Sequence, residues 1–225
     1  RSLPMKKTDK ALIDYLTREE MNALLAAPDC TTAAGLRDRA MLHLTYAAGL
    51  RVSELLALQM GDFSDRSLST VRVLGKGRRE RVLPLWKETQ TILRAWIAVR
   101  PSVQVQELFV NREGQPLSRD GFAHRLAVHV AAAARKKPAL AEKRVTPHVL
   151  RHSCAMHTLE ATGDIRKVSL WLGHASLQST EAYLRVDPAE KLAILAANAA
   201  PAVPKGRFRT PDRLLAMLAE IQKTR

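Results

Sequence analysis

At 225 residues the chain is long enough for one domain with an appendage, and its two cysteines, which lack CxxC spacing, exclude a disulfide scaffold. Lys and Arg number 36 against 22 Asp and Glu, and the formal net charge of +14 favours a polyanion such as nucleic acid, with a basic membrane-surface protein as the alternative. No apolar run approaches the roughly 20 residues that span a bilayer, and no signal peptide opens the chain, so we expect a cytoplasmic or nucleoid-associated protein.

Three helices are predicted before the first strand signal. The run Thr17–Glu20 fits a capping box, in which a threonine and the glutamate three residues later satisfy each other's backbone N–H groups. A second helix is expected from about Leu36 to Gly49, a residue suited to the left-handed position that follows a helix. Arg51 then directly precedes a third, short helix, Val52–Leu58.

The strand signals fall in one stretch. Runs rich in Val and Leu cover residues 68–74 and 79–85, and a short loop with Lys76 between two glycines separates them. This pattern predicts an antiparallel hairpin with a lysine at its tip. Phe63 and its neighbours are predicted to add a third strand.

The chain after Trp86 is predicted to be mainly helical, so the expected fold is mainly α with one small antiparallel β-sheet (α+β). These helices are predicted over residues 87–99, from a cap at Ser118, from Thr146 to about Ala161, from a cap at Asp164 to Leu172, over residues 180–186, from Pro188, and from Pro211 onward.

Two residues of the helix that begins at Thr146 suit phosphate binding. His148 and Arg151 are three residues apart, so both are expected to project from one side of its first turn. An imidazole, a forked guanidinium and the N–H groups at a helix start can together hold a phosphate and move a proton. The solvated face of a basic helix gives the same pattern, so the pair by itself does not identify a site.

The same helix carries His152, Cys154 and His157, which with His148 raise the alternative of a zinc site. His152 and Cys154 lie two positions apart and face different sides of a helix, and no HExxH motif is present. We therefore expect no metal, and we interpret His152 and Cys154 as core or supporting residues.

A histidine and a tyrosine follow in the run LGHASLQSTEAYLRV. The glycine before His174 indicates a tight turn that presents the imidazole, and Tyr183 comes nine residues later. A tyrosine in such a place is commonly half-buried packing. As a nucleophile it needs nearby cations and a base, because the pKa of an unperturbed phenol is about 10.

Four segments together resemble the successive motifs of the tyrosine recombinase family, which includes phage integrases: TYAAGLRVSELLAL, VLGKGRRERVLPL, TPHVLRHSCAMHTL and WLGHASLQSTEAYLRV. They occur in the family's order, from Thr45 to Val186. The resemblance implies the tyrosine recombinase catalytic-domain architecture and a site-specific recombinase or integrase. Such an enzyme cleaves and rejoins DNA through a 3′-phosphotyrosyl intermediate without metal, ATP or another cofactor, and the chain has no Walker-type GxxxxGK[ST] motif.

The resemblance also implies a role for each matching residue. Arg51 and Arg151 match the two arginines that grip the scissile phosphate and stabilise its transition state. Tyr183 matches the nucleophile. Lys76 matches the general acid that protonates the leaving 5′-oxygen, and His148 matches the residue that assists proton transfer from the tyrosine.

The remaining matches concern the support of the site and the partners. His174 matches a second histidine that hydrogen-bonds the phosphate, and Glu54 matches an acidic position that orients a cation. The arginines of the predicted hairpin are assigned to DNA contact: Arg72, Arg78, Arg79 and Arg81. The implied partners are double-stranded DNA and further copies of the chain, as a homo-oligomer (a tetramer) on two duplexes.

The chain is expected to divide into three parts. Residues 1–16 are expected to be a linker or lead-in from a missing N-terminal DNA-binding domain, since family members commonly have one. Residues 17–200 are expected to form the catalytic domain, and residues 201–225 a C-terminal tail helix. The apolar stripe of the tail, over residues 205–225, has two open alternatives, packing on its own domain or docking on a neighbouring protomer.

Two other functions stay open at this point. A type IB topoisomerase would use the same chemistry to relax supercoils, and relaxation of a plasmid that carries no specific site would identify it. A DNA-binding regulator would use the basic helices for groove contacts without cleavage, and a Tyr183→Phe chain that keeps every activity would identify that protein.

Overall fold

The computed structural model describes residues 14–63, 67–75 and 80–173. The mainly helical fold with a small antiparallel sheet is confirmed over these residues, and the helices predicted beyond residue 173 lie outside them. The α-helices are α1 (Arg18–Leu25), α2 (Ala33–Ala47), α3 (Val52–Leu56), α4 (Lys87–Val99), α5 (Arg119–Ala134), α6 (Pro147–Thr162) and α7 (Ile165–Leu172). The strands are β1 (Thr70–Leu74) and β2 (Glu80–Pro84), and two short 3-10 turns cover Met60–Asp62 and Pro138–Glu142.

The helix starts follow local capping chemistry. The capping box at the start of α1 is confirmed, because the Thr17 N–H donates to Glu20 at 2.8 Å and the Glu20 N–H donates to Thr17 at 3.2 Å. Helix α2 begins three residues before the predicted Leu36, because the Thr32 hydroxyl accepts from the Gly35 N–H at 3.0 Å and satisfies the first turn. The predicted starts of α5 and α6 are confirmed.

The hairpin is shorter than the strand signals suggested, and its register decides which arginines face inward. β1 pairs with β2 so that Val73 lies opposite Arg81 and Arg72 lies opposite Val82. Val73 is buried, whereas Arg72 and Val82 lie on the exposed face. Of the third strand predicted at Phe63 and its neighbours, the structure shows one isolated antiparallel bridge, from Phe63 to Val71, and residues 64–66 lie outside the described ranges.

Helix α2 lies at the centre of the core. Most of its residues are buried, and it packs against α4 on one side and α6 on another. Buried leucines and aromatic residues fill the space around it, among them Leu93, Phe109 and Phe122. The end of α2 is thereby fixed against α6 and α7, and the loop to α3 leaves from that point. No helix in the described ranges is long and apolar enough to cross a membrane.

Candidate active site

The carboxylate of Glu54 lies at the centre of a group of arginines. Glu54 belongs to the first turn of α3, and only 4% of its side chain is exposed. One of its oxygens accepts from the backbone N–H of Arg51 at 3.0 Å, which fixes the carboxylate at the start of the helix. A buried carboxylate requires compensating cations, and the neighbouring elements supply them.

Three guanidinium groups surround this carboxylate, one from the residue before α3, one from β2 and one from α6. Arg51 Nη1 lies 2.7 Å from Glu54 Oε1. Arg81 from β2 forms two bonds, Nη2 to Oε2 at 2.8 Å and Nη1 to Oε1 at 3.3 Å. Arg151 from α6 places Nη1 3.8 Å from Oε2. Three permanent positive charges and one negative charge leave a surplus of two, so the cluster can accept a doubly negative group.

The charge state of Glu54 follows from its surroundings. Burial raises the pKa of the Glu54 carboxyl, but hydrogen bonds from Arg81 and from the Arg51 backbone, with the Arg81 charge, outweigh burial. Its pKa therefore lies below the ordinary value, and Glu54 is ionised at neutral pH.

Arg151 is held in place by backbone carbonyls. It donates through Nη1 to the carbonyl of Gly49 and through Nη2 to that of Leu172, at 2.8 Å. Only 3% of its side chain is exposed, against 33% for Arg51. Arg51 therefore lies at the surface of the cluster and Arg151 beneath it.

Two glycines with positive φ make this arrangement possible. Gly49 has φ +56°, and a Cβ there would lie 2.4 Å from a methyl of Leu172. Gly173 has φ +63°, and a Cβ there would lie 3.0 Å from Cδ of Arg81. The left-handed position predicted for Gly49 is confirmed, and its cause is close packing as well as the end of α2.

His148 and Arg151 differ in exposure, although they are three residues apart. The His148 side chain is exposed, whereas Arg151 is buried. The ring of His148 lies edge to face with that of His152, with ring centroids 5.2 Å apart. Burial, together with the charges of His148 and Arg151, lowers the pKa of His152 to about 4. His152 is thus a neutral imidazole beside His148 at physiological pH.

The other possible zinc ligands of α6, Cys154 and His157, are both buried. Burial raises the pKa of Cys154 to about 11, so its thiol is protonated at neutral pH. His157 Nδ1 lies 2.8 Å from the hydroxyl of Tyr46, and burial lowers its pKa to about 4. Across the described residues no group of three or more His, Cys, Asp or Glu side chains is placed to hold a metal ion.

The hairpin arginines occupy different environments. Arg72 has 54% of its side chain exposed and makes surface ion pairs with Asp62 at 3.3 Å and Glu80 at 3.9 Å. Arg81 is only 10% exposed and faces Glu54. Arg81 alternates in the sequence with the buried Leu83 and Leu85, a pattern that indicates the inner face, although we assigned Arg81 to DNA contact from the sequence. The structure thus brings together Arg51, Glu54, Arg81 and Arg151, while Lys76, Arg78, Arg79, His174 and Tyr183 lie outside the described residues.

A second buried cluster was not anticipated from the sequence. Asp38 of α2 accepts from Arg37, from Arg125 at 2.6 Å, and lies 2.8 Å from His129 Nε2. These partners lie on α2 and α5, and Arg37 also donates to the Val110 carbonyl at 3.1 Å. Arg125 and His129 lie 87 and 91 positions after Asp38 in the sequence, so no local pattern indicates the contact.

Sequence comparison finds relatives that are named as recombinases. A protein of Sinorhizobium fredii named as an integrase/recombinase (y4rC) is 40% identical over 217 residues, which are 96% of this chain and 65% of that protein. Tyrosine recombinase XerD of Xanthomonas axonopodis pv. citri is 43% identical over 188 residues, 79% of this chain and 60% of that protein. The chain thus spans less than two thirds of the length of these relatives.

A solved structure and a family model point the same way. The structure of XerH site-specific recombinase bound to difH substrate, a pre-cleavage complex, is similar with a TM-score of 0.67 and 25% identity, over 87% of this chain and 57% of that chain. Residues 14–190 match the model of the phage integrase family, and this range includes every residue of the arginine cluster. The chain therefore belongs to the phage integrase family.

Proposed function

We propose that this chain is the DNA-cleaving part of a site-specific tyrosine recombinase (integrase), which cuts and rejoins double-stranded DNA through a 3′-phosphotyrosyl intermediate. The observation that carries the proposal is the surplus of two positive charges around Glu54, contributed by Arg51, Arg81 and Arg151. Membership of the phage integrase family supports it. The names of the relatives, integrase/recombinase and tyrosine recombinase, agree with it.

The charge surplus suits the reaction. A phosphodiester carries one negative charge, and attack by an oxyanion gives a five-coordinate phosphorus with two. Guanidinium groups fixed before the reaction stabilise the second charge as it develops, without reorganisation. Arg151 is fixed by two carbonyls and Arg51 by Glu54, so both are preorganised. In many phosphoryl-transfer enzymes metal ions supply this charge.

The proposed cleavage step exchanges one phosphorus–oxygen bond for another. The phenolic oxygen of Tyr183 forms a bond to the scissile phosphorus, and the bond between phosphorus and the 5′-oxygen breaks. His148 accepts the proton of the phenol, and Lys76 donates a proton to the leaving 5′-oxygen. His174 hydrogen-bonds the phosphate. The phosphotyrosyl link keeps the energy of the phosphodiester, so a 5′-hydroxyl of another strand can reverse the step without ATP.

The proposed partners follow from charge and from the relatives. The basic chain and the exposed Arg72 favour contact with the DNA backbone, to which we also assign Arg78 and Arg79. Strand exchange joins two duplexes, so we propose a tetramer of the recombinase on DNA. A protein with this activity works on DNA in the cytoplasm, in association with the nucleoid.

The proposal is tested by trapping the covalent intermediate. The 225-residue chain is incubated with a library of nicked duplexes of random sequence, in which cleavage releases a short strand and prevents rejoining. Protein that carries DNA after denaturation is isolated, its DNA is sequenced, and the modified peptide is identified by mass spectrometry. We expect an enriched DNA site and a phosphate link on Tyr183.

Tyr46 provides a matched control for Tyr183. The chain has three tyrosines, and Tyr46 is a second phenol whose pKa is raised, chiefly by burial. Tyr183→Phe is expected to abolish the adduct and keep DNA binding, whereas Tyr46→Phe is expected to keep both. An adduct formed by the Tyr183→Phe chain would refute the assignment of the nucleophile. Plasmid relaxation without the enriched site would indicate a topoisomerase instead.

A further inference from the structure

We propose that Arg81 is a positioning residue of the cleavage site: it neutralises the Glu54 carboxylate so that the charges of Arg51 and Arg151 act on the scissile phosphate. This inference rests on the proposed function and deepens it. It gives Arg81 a place inside the arginine cluster, whereas its position on the hairpin alone suggested a contact with DNA.

The distances from the three guanidinium groups to Glu54 identify the principal partner of its carboxylate. Arg81 contacts both carboxylate oxygens, at 2.8 and 3.3 Å. The Arg51 side chain contacts one oxygen, at 2.7 Å, and Arg151 approaches to 3.8 Å. A two-bond pairing of guanidinium and carboxylate is the strongest geometry of this kind. Arg81 is therefore the principal partner of Glu54.

The position of Arg81 excludes a simple surface role. Its side chain is 10% exposed, and its Nε is buried without a hydrogen-bond partner in the described ranges. Its aliphatic part lies against Gly173, where an added Cβ would come within 3.0 Å of Cδ. Leu172, directly before this glycine, provides one of the carbonyls that hold Arg151. Arg81 therefore contacts both the carboxylate and the turn that closes the cluster.

The net charge of the arginine cluster depends on Arg81. With Arg81 present, the cluster has a surplus of two positive charges. Without Arg81, Glu54 draws on Arg51 and Arg151, and the surplus falls to one. The transition state carries two negative charges, so loss of Arg81 should slow cleavage more than it weakens binding of the singly charged phosphate.

The test measures the rate of adduct formation on the nicked duplex recovered from the library, with protein in excess so that binding is saturated. Arg81→Met, similar in shape but neutral, is expected to slow this rate about 10- to 100-fold, by analogy with metal sites, where loss of a side chain that orients a metal ligand has an effect of this size. Arg81→Lys keeps the charge but cannot form two parallel hydrogen bonds to the carboxylate. Its rate of adduct formation is expected to lie between those of Arg81→Met and the parent.

The decisive comparison adds Glu54→Gln. In the parent, Glu54→Gln is expected to slow cleavage, because Arg51 loses the carboxylate that orients it. In the Arg81→Met chain the same change is expected to speed cleavage, because it restores the surplus of two charges. A purely structural role of Arg81, or a direct bond to the phosphate, predicts slowing in both backgrounds.

Arg37→Met is the matched control for folding. Arg37 is 9% exposed and binds Asp38, which keeps Arg125 and His129 when Arg37 is removed. We expect both Met variants to lower the melting temperature but only Arg81→Met to slow adduct formation. Equal rates for Arg81→Met and the parent, or slowing by Glu54→Gln in both backgrounds, would overturn this inference alone. A parent chain that forms no adduct would overturn the proposed function and this inference with it.

Discussion

Asp38 and Glu54 are both buried carboxylates among cations, and the two clusters differ in the charge that remains. Asp38 binds the Nε and Nη2 of Arg37, the Nε of Arg125 and the ring of His129, so both of its oxygens are occupied. Two of its partners lie on α5, which makes the Asp38 cluster a link between helices.

The Glu54 cluster also consists of a buried carboxylate and cations, but its cations differ from those around Asp38. All three of its cations are arginines, which stay charged at any physiological pH, whereas one partner of Asp38 is a histidine. The third guanidinium, that of Arg151, lies 3.8 Å from the carboxylate and is held by carbonyls instead. Counted in the same way, the two arginines around Asp38 leave a surplus of one positive charge, and the three around Glu54 leave a surplus of two. The larger surplus suits the Glu54 cluster to bind an anion.

The largest effect is expected at Arg151, where activity and stability should fall together. Arg151→Met removes a preorganised cation, so the rate of adduct formation should fall about 10²- to 10³-fold. It also leaves the Gly49 and Leu172 carbonyls without a donor, so the free energy of unfolding should fall by about 1–3 kcal/mol. Single-turnover cleavage and urea unfolding measure the two effects. Cleavage at the parent rate would show that Arg151 does not contribute to the cleavage reaction.

Asp38→Asn should separate the clusters, because it affects stability alone. The change leaves Arg37 and Arg125 without their carboxylate, and the free energy of unfolding should fall by about 3 kcal/mol at neutral pH. Once folded, the variant should form the adduct at the parent rate. A slower rate in fully folded protein would show that the Asp38 cluster also serves the site.

The same variant gives a pH test. Burial raises the pKa of Asp38, but the bond to His129 and the nearby Arg37 and Arg125 outweigh burial, and the pKa lies below its ordinary value. The folded pKa is below the unfolded one, so the stabilisation is present above about pH 4 and is lost as pH falls further. Asp38→Asn should therefore flatten the acid side of the stability curve. An unchanged slope would mean that other carboxylates account for it.

A smaller effect is expected at the turn that joins the site to the core. Gly49→Ala would place a Cβ 2.4 Å from Leu172 in a left-handed backbone conformation, at a cost of about 2 kcal/mol in stability. Since the Gly49 carbonyl binds Arg151, cleavage should also slow. Gly61→Ala is the control, because open space surrounds that position. Thermal unfolding of both variants should show a drop for the first only.

The parts of the fold that were predicted from the sequence depend on local chemistry. The capping box at Thr17 and the Thr146-Pro147 start of α6 are each decided within a few residues. The left-handed Gly49 was predicted from the local end of α2, and its packing against Leu172 was not. The early start of α2 was missed, because Ala33, Ala34 and Gly35 carry no apolar stripe and the capping bond of Thr32 alone fixes the boundary.

The arrangement of the site was predicted only in part, because much of it depends on contacts between segments that are distant in the sequence. Motif matches placed Arg51, Glu54 and Arg151 together, but the contact between Arg81 and Glu54 joins residues that are 27 positions apart. The burial of Arg151 depends on the carbonyls of Gly49 and Leu172, which tertiary packing brings to α6. Such contacts between distant segments leave no pattern in a single sequence.

A change in the charge of the DNA tests directly whether the arginine cluster matches the charge of the transition state. A nicked duplex is made with a methylphosphonate at the scissile position, which replaces one charged oxygen by a neutral methyl and lowers the charge of the transition state by one. We expect the Arg51→Met chain, with one cation fewer, to be slowed much less relative to the parent on this duplex than on the native phosphate. Equal slowing of Arg51→Met on both duplexes would contradict the claim that the arginine cluster acts by matching the charge of the transition state.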